Sequence, residues 1–106
     1  MSPRAILHLV LHLLVPAAVA RLGWRPRWRF AWGIMLTGLL IDLDHLLACP
    51  IFDPNRCSVG YHPLHTWPAV IGYLALTAIP RTRLVGTGLL IHIALDLTDC
   101  FWMKFF

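Results

Sequence analysis

Near the C-terminus, IHIALDLTD places His92, Asp96 and Asp99 four and three residues apart. On an α-helix these positions fall within an arc of about 60°, a single narrow stripe. Imidazoles and carboxylates in such a stripe are the donors that hold a divalent transition metal. Three other segments carry the same chemistry. His8 and His12 are four apart, which puts them on one helix face. Asp42, Asp44 and His45 fall together in LIDLDHL. A regular helix spreads those three over roughly 160°, so either Asp44 points elsewhere or the helix loosens. His62 and His65 open a further segment in HPLHT.

The elements that carry these residues are apolar. At 58% hydrophobic and 13% charged residues, the 106-residue chain lies outside the range of ordinary soluble domains. A soluble helical core of this size could not bury so much apolar surface. The apolar runs define one domain, residues 1–106, with four expected spans at about 4–21, 30–49, 64–80 and 84–103. The fold expected is an all-α, integral membrane four-helix bundle. Ala18-Val19-Ala20 has the form of a signal-peptidase site. His8 and His12 interrupt its apolar region, however, and Arg21, Arg25, Arg27 and Arg29 follow at once, so the first segment reads as a retained span. Pro16 predicts a kink in it. The second helix should run to Pro50, the third should begin at Pro63, and Pro68 should weaken its second turn.

Basic residues orient the spans. The first and third connections hold Arg21, Arg25, Arg27, Arg29, Arg81 and Arg83, against Arg4, Arg56 and Lys104 on the other side. The bias puts both termini and the 50–63 loop on the non-cytoplasmic side. The formal charge of +4 is then a topology signal and gives no reason to expect nucleic acid as a partner. Trp24, Trp28 and Trp32 fall near the inner interface, and Tyr61, Trp67 and Trp102 near the outer one.

This topology brings all six histidines and Asp42, Asp44, Asp96 and Asp99 to the outer half of the bilayer. Four intramembrane aspartates cost of order 12 kcal/mol, at ~3 kcal/mol each. Ordinary hydrogen bonds at ~1 kcal/mol do not offset that, whereas zinc at roughly 10–16 kcal/mol does. The mixed donor set fits Zn²⁺ best, then Mn or Fe, and has room for one or two ions. Asp42, His45, His65, His92 and Asp96 are the principal ligand candidates. His8, His12 and His62 are further ones, with polar contacts between helices or a helix cap as their structural alternative. Asp44 and Asp99 are candidates for a general base or for a partner that orients a ligand. Cys49, Cys57 and Cys100 all fall on the outer side, where one disulfide is expected, Cys49–Cys57 or Cys57–Cys100. Gly33, Gly38, Gly72, Gly86 and Gly88 permit close helix contacts, within the chain or in a homo-oligomer.

Three ordered motifs resemble a known family. Asp42-Leu-Asp44-His45 ends one span, His62-Pro-Leu-His65-Thr66 opens the next, and His92-Ile-Ala-Leu-Asp96 lies in the last. Together they are similar to the YdjM-like, LexA-binding, inner-membrane-associated hydrolases, of which this chain would be a short branch. Ile41 stands where that family often has proline, and HPLHTW where it has HRGxTHS. The resemblance implies a multi-pass protein of the bacterial inner membrane with metal-dependent hydrolase activity. It also implies a regulatory partner for the basic 21–29 loop.

The expected function is therefore a metal-dependent hydrolase whose His/Asp site lies near the outer leaflet. Its depth suggests a membrane lipid, as a phosphoester, for substrate, with Arg56 available to steady a phosphate. The competing expectation is a non-catalytic membrane metal-binding or assembly protein, with a closed coordination sphere. A carrier is disfavoured, because the inner halves of the spans lack ionisable residues.

Overall fold

The computed structural model describes residues 3–47, 57, 59, 60 and 62–105, without the side chains of residues 44, 45 and 105. Most of them lie in four helices: α1, Pro3–Gly23; α2, Trp28–Leu36; α3, Trp67–Ala78; and α4, Arg83–Phe105. Short 3₁₀ turns occupy Arg25–Arg27, Pro63–His65 and Pro80–Thr82. Each has a proline in its first two positions, where a missing N–H breaks no hydrogen bond.

α4 is the central element and packs against all three other helices, which makes the chain an all-α four-helix bundle. One apolar cluster joins Ile41, Tyr73, Leu89 and Ile93. A second joins Ala20, Ala31 and Met35 between α1 and α2, with Leu84 and Ile91 of α4 against it. The Trp32 indole donates to the Leu13 carbonyl at 2.9 Å, so this tryptophan ties α2 to α1.

Glycines set how closely α4 approaches its neighbours. A Cβ on Gly88 would lie 2.6 Å from Met35 Cα, and one on Gly38 would lie 3.2 Å from the Gly88 carbonyl carbon. A Cβ on Gly86 would collide with the backbone and side chain of Thr77 on α3. Gly33 and Gly72, by contrast, face open space. The close-packing role foreseen for the glycines falls, within the chain, on Gly38, Gly86 and Gly88.

The second apolar segment departs from the single helix expected over 30–49. After Leu36 the chain tightens into a 3₁₀ helix, Thr37–Leu47, rather than loosening. The switch occurs where the Thr37 hydroxyl donates to the Ile34 carbonyl at 2.6 Å, competing for an α-helical acceptor. Eleven residues is long for 3₁₀ geometry, which usually persists for three or four.

The third segment differs too. Pro63 begins a separate turn, and Pro68 lies in the first turn of α3 rather than its second. The twelve residues of α3 rise only about 18 Å. Among the described residues, two helical stretches are long and apolar enough to cross a membrane: Pro3–Gly23, with mean hydropathy 1.9, and Pro80–Lys104, with 1.5. α1 runs through Pro16, which is buried.

A disulfide joins Cys57 to Cys100 across 43 residues of sequence, with Cα atoms 5.1 Å apart. It fastens the chain ahead of α3 to the C-terminal part of α4. The other pairing considered, through Cys49, lies outside the described residues.

Candidate metal centre

α4 supplies the middle of the site. His92 and Asp96 are one helical turn apart and both buried. The 3₁₀ segment brings Asp42 beside them, four residues beyond Gly38 just as His92 is four beyond Gly88, so the glycine contact controls their separation. The Pro63–His65 turn delivers His65, which is completely buried. Two hydrogen bonds brace that turn. The Tyr73 hydroxyl donates to the Leu64 carbonyl at 2.7 Å, and the Gly60 N–H donates to the His65 carbonyl at 3.1 Å.

Four side chains converge here. His65 Nε2 lies 3.3 Å from Asp42 Oδ1 and 2.9 Å from Asp96 Oδ2. His92 Nε2 lies 3.0 Å from Asp42 Oδ1 and 3.1 Å from Asp96 Oδ2. The two imidazole nitrogens are 3.3 Å apart. Five of the six edges between these four atoms thus run from 2.9 to 3.3 Å. Bonds of ~2.0–2.1 Å about a tetrahedral Zn²⁺ require edges of about 3.3 Å. Asp96 Oδ2 makes no hydrogen bond despite two imidazoles at contact distance, whereas His92 Nε2 is within hydrogen-bond distance of both Asp42 Oδ1 and His65 Nε2. A buried carboxylate oxygen left in that state fits a metal ligand. His92 Nδ1 has no hydrogen-bond partner among the described residues.

A second group shares Asp96. Its other oxygen, Oδ1, lies 3.0 Å from His8 Nε2 and 3.4 Å from His12 Nε2. α1 presents these two histidines one turn apart, toward α4. Their rings meet edge to face at 4.3 Å, and the His12 ring meets that of His92 at 4.5 Å.

The remaining candidates are placed differently. His62 is buried beside the cluster, its ring 5.7 Å from that of His65, and belongs to neither ligand group. Asp99 turns to Arg4, with an N–O distance of 3.5 Å, at the end of the bundle where α1 begins and α4 ends. Arg4 had figured in the sequence only as a topology charge. Its place in the first turn of α1, level with the last turns of α4, was the signal for the pair. The side chains of Asp44 and His45, and all of Arg56, lie outside the described residues.

Fold and site together define a class: a small all-α bundle with a buried His/Asp cluster able to hold a divalent metal. Within that class, the chain belongs to the family of unknown function DUF6122, whose profile matches residues 3–103. No curated protein and no solved structure matches it.

Proposed function

We propose that this protein is a multi-pass membrane hydrolase that uses a divalent metal, zinc first, to cleave a lipid phosphoester at the outer leaflet. The observation that carries the proposal is the tetrahedron of Asp42 Oδ1, His65 Nε2, His92 Nε2 and Asp96 Oδ2. A metal at that point would lower the pKa of a coordinated water toward ~7 and polarise a phosphoryl oxygen. The chain's own groups do the rest. Asp42, His65, His92 and Asp96 orient the site. Asp99, steadied by Arg4 at the rim, and Asp44 are the carboxylates proposed for proton transfer.

The molecule's surface supports a lipid setting. Four histidines and Asp96 are buried while many large apolar side chains are outside: Leu14, Leu22, Leu40, Leu47 and Trp67 are all more than half exposed. Soluble monomers rarely carry apolar surface on that scale. The Asp42 side chain is 45% exposed and is followed in sequence by exposed Leu43 and Leu46, which gives acyl chains a route to the cluster. The resemblance to YdjM-like hydrolases of the bacterial inner membrane points the same way. The Cys57–Cys100 bridge supports an outer, oxidising side for that end of the bundle.

Metal analysis tests the central claim. Detergent-purified protein should carry tightly bound zinc or manganese, and Asp42→Ala and His92→Ala should each lose the ion held by Asp42, His65, His92 and Asp96 while keeping their helical circular dichroism. Metal-free wild-type protein that stays so after Zn²⁺ or Mn²⁺ reconstitution would sink the proposal. Orientation has its own test. After reduction, Cys57 and Cys100 in intact cells should react with a membrane-impermeant maleimide; labelling only after the cells are opened would invert the topology.

A non-catalytic role is favoured by one observation, the four protein atoms about a single point, since structural zinc sites are closed. The two roles separate in cobalt-substituted protein. An enzyme's visible spectrum should shift on adding a non-hydrolysable phosphonolipid, and a closed structural site should not respond.

A further inference from the structure

The first ligand group uses only one oxygen of Asp96, and the other oxygen has its own histidines. His12 Nδ1 lies 2.8 Å from the carbonyl oxygen of His8. A carbonyl can only accept, so Nδ1 carries the proton and donates it there. In the neutral ring Nε2 is then a bare lone pair, and it faces Asp96 Oδ1 at 3.4 Å. His12 is 5% exposed, and its Nε2 has no hydrogen-bond partner among the described residues. Two buried acceptors set against each other repel. A cation between them turns that repulsion into two attractive bonds, and His8 Nε2, 3.0 Å from the same oxygen, supplies a third. Donation of the far ring nitrogen to a backbone carbonyl is also the usual way a metal-ligating histidine is held.

We propose that Asp96 bridges two divalent metal ions. The first is the one proposed above, on Asp96 Oδ2, and the second sits on His8, His12 and Asp96 Oδ1. The inference rests on the reading of the first group as a metal site. It assigns the two sites different work. The first has four protein donors. The second has three, which leaves a coordination position for water or a phosphoryl oxygen. The His8 side chain is 28% exposed, so the second site is also reachable from outside. Paired ions ~3.5–4 Å apart clamp both the attacking and the leaving oxygen of an in-line phosphoester displacement. The carboxylate shared by both groups supplies the link such a pair needs.

The test is metal stoichiometry in purified, manganese-reconstituted protein, with electron paramagnetic resonance on the same samples. Wild type should hold two equivalents of Mn²⁺ and give an exchange-coupled spectrum. His12→Ala should retain one equivalent, with an isolated-ion spectrum and unchanged helical circular dichroism. Two equivalents retained in folded His12→Ala would overturn the second site, as would a single uncoupled equivalent in saturated wild type. That last result would leave the first site standing. Wild type that binds no metal would overturn both sites. Should His12→Ala not fold, the wild-type stoichiometry and coupling decide alone.

Discussion

Asp96→Asn is expected to strip the protein of all its metal while leaving the bundle folded. Asp96 is the one residue common to both ligand groups, and its two oxygens lie within 3.4 Å of four imidazole nitrogens. The amide keeps the size of the side chain but removes its charge, replacing one oxygen with an NH₂ that cannot ligate and leaving the other as a weak neutral donor. The loss should exceed the ~10–100-fold that follows removal of a group merely orienting a ligand. In a titration followed by elemental mass spectrometry, affinity should fall by more than about a hundredfold at both sites. Conversely, Asp99→Asn should leave metal content unchanged, since Asp99 pairs with Arg4 and lies in neither group. Equal metal content in Asp96→Asn and wild type would remove the carboxylate from the site. Hydrolysis of a lipid phosphoester, once a substrate is found, should vanish in Asp96→Asn.

Gly88→Ala should have the largest effect of any change that touches no ligand. The added methyl would lie 2.6 Å from Met35 Cα and 2.9 Å from its carbonyl carbon, so the obstacle is backbone. α2 must move away from α4, and the cost expected of such overpacking is about 1–3 kcal/mol. The displacement carries to the metal centre, because Asp42 lies four residues past Gly38 and Gly38 rests on Gly88. Stretching the 3.0 Å separation of Asp42 Oδ1 and His92 Nε2 opens the first tetrahedron. The expected result is a lowered midpoint of thermal unfolding in detergent together with weaker metal binding. Gly33→Ala is the matched control on the facing helix α2, since its Cβ meets nothing within 4 Å. Alanine also favours helix over glycine by up to ~1 kcal/mol, so this variant should melt no earlier than wild type. Indistinguishable unfolding and metal affinity in Gly88→Ala and Gly33→Ala would refute the link between the glycine crossing and the site.

What sequence alone determined follows from local geometry. A helix fixes the angle between residues four apart whatever surrounds it, so the pairs His8–His12 and His92–Asp96 were legible as ligand faces before any packing was known. The apolar runs likewise announced an all-helical bundle, because 58% hydrophobic composition at this length leaves few other folds. Packing decided the rest. Which histidines meet which oxygen of Asp96 depends on the rotation and depth of α1 against α4, set by side-chain contacts distant in sequence. Asp42 reaches His92 through a 3₁₀ segment that α-helical projection does not describe, and the depth of that approach is set by Gly38 against Gly88. Three cysteines in the sequence left their pairing open until Cys57 and Cys100 came within 5.1 Å at Cα. Asp99 shares a stripe with His92 and Asp96, yet its partner is Arg4 at the start of α1. Spacing along a chain defines a face, and only the neighbouring helix defines what that face meets.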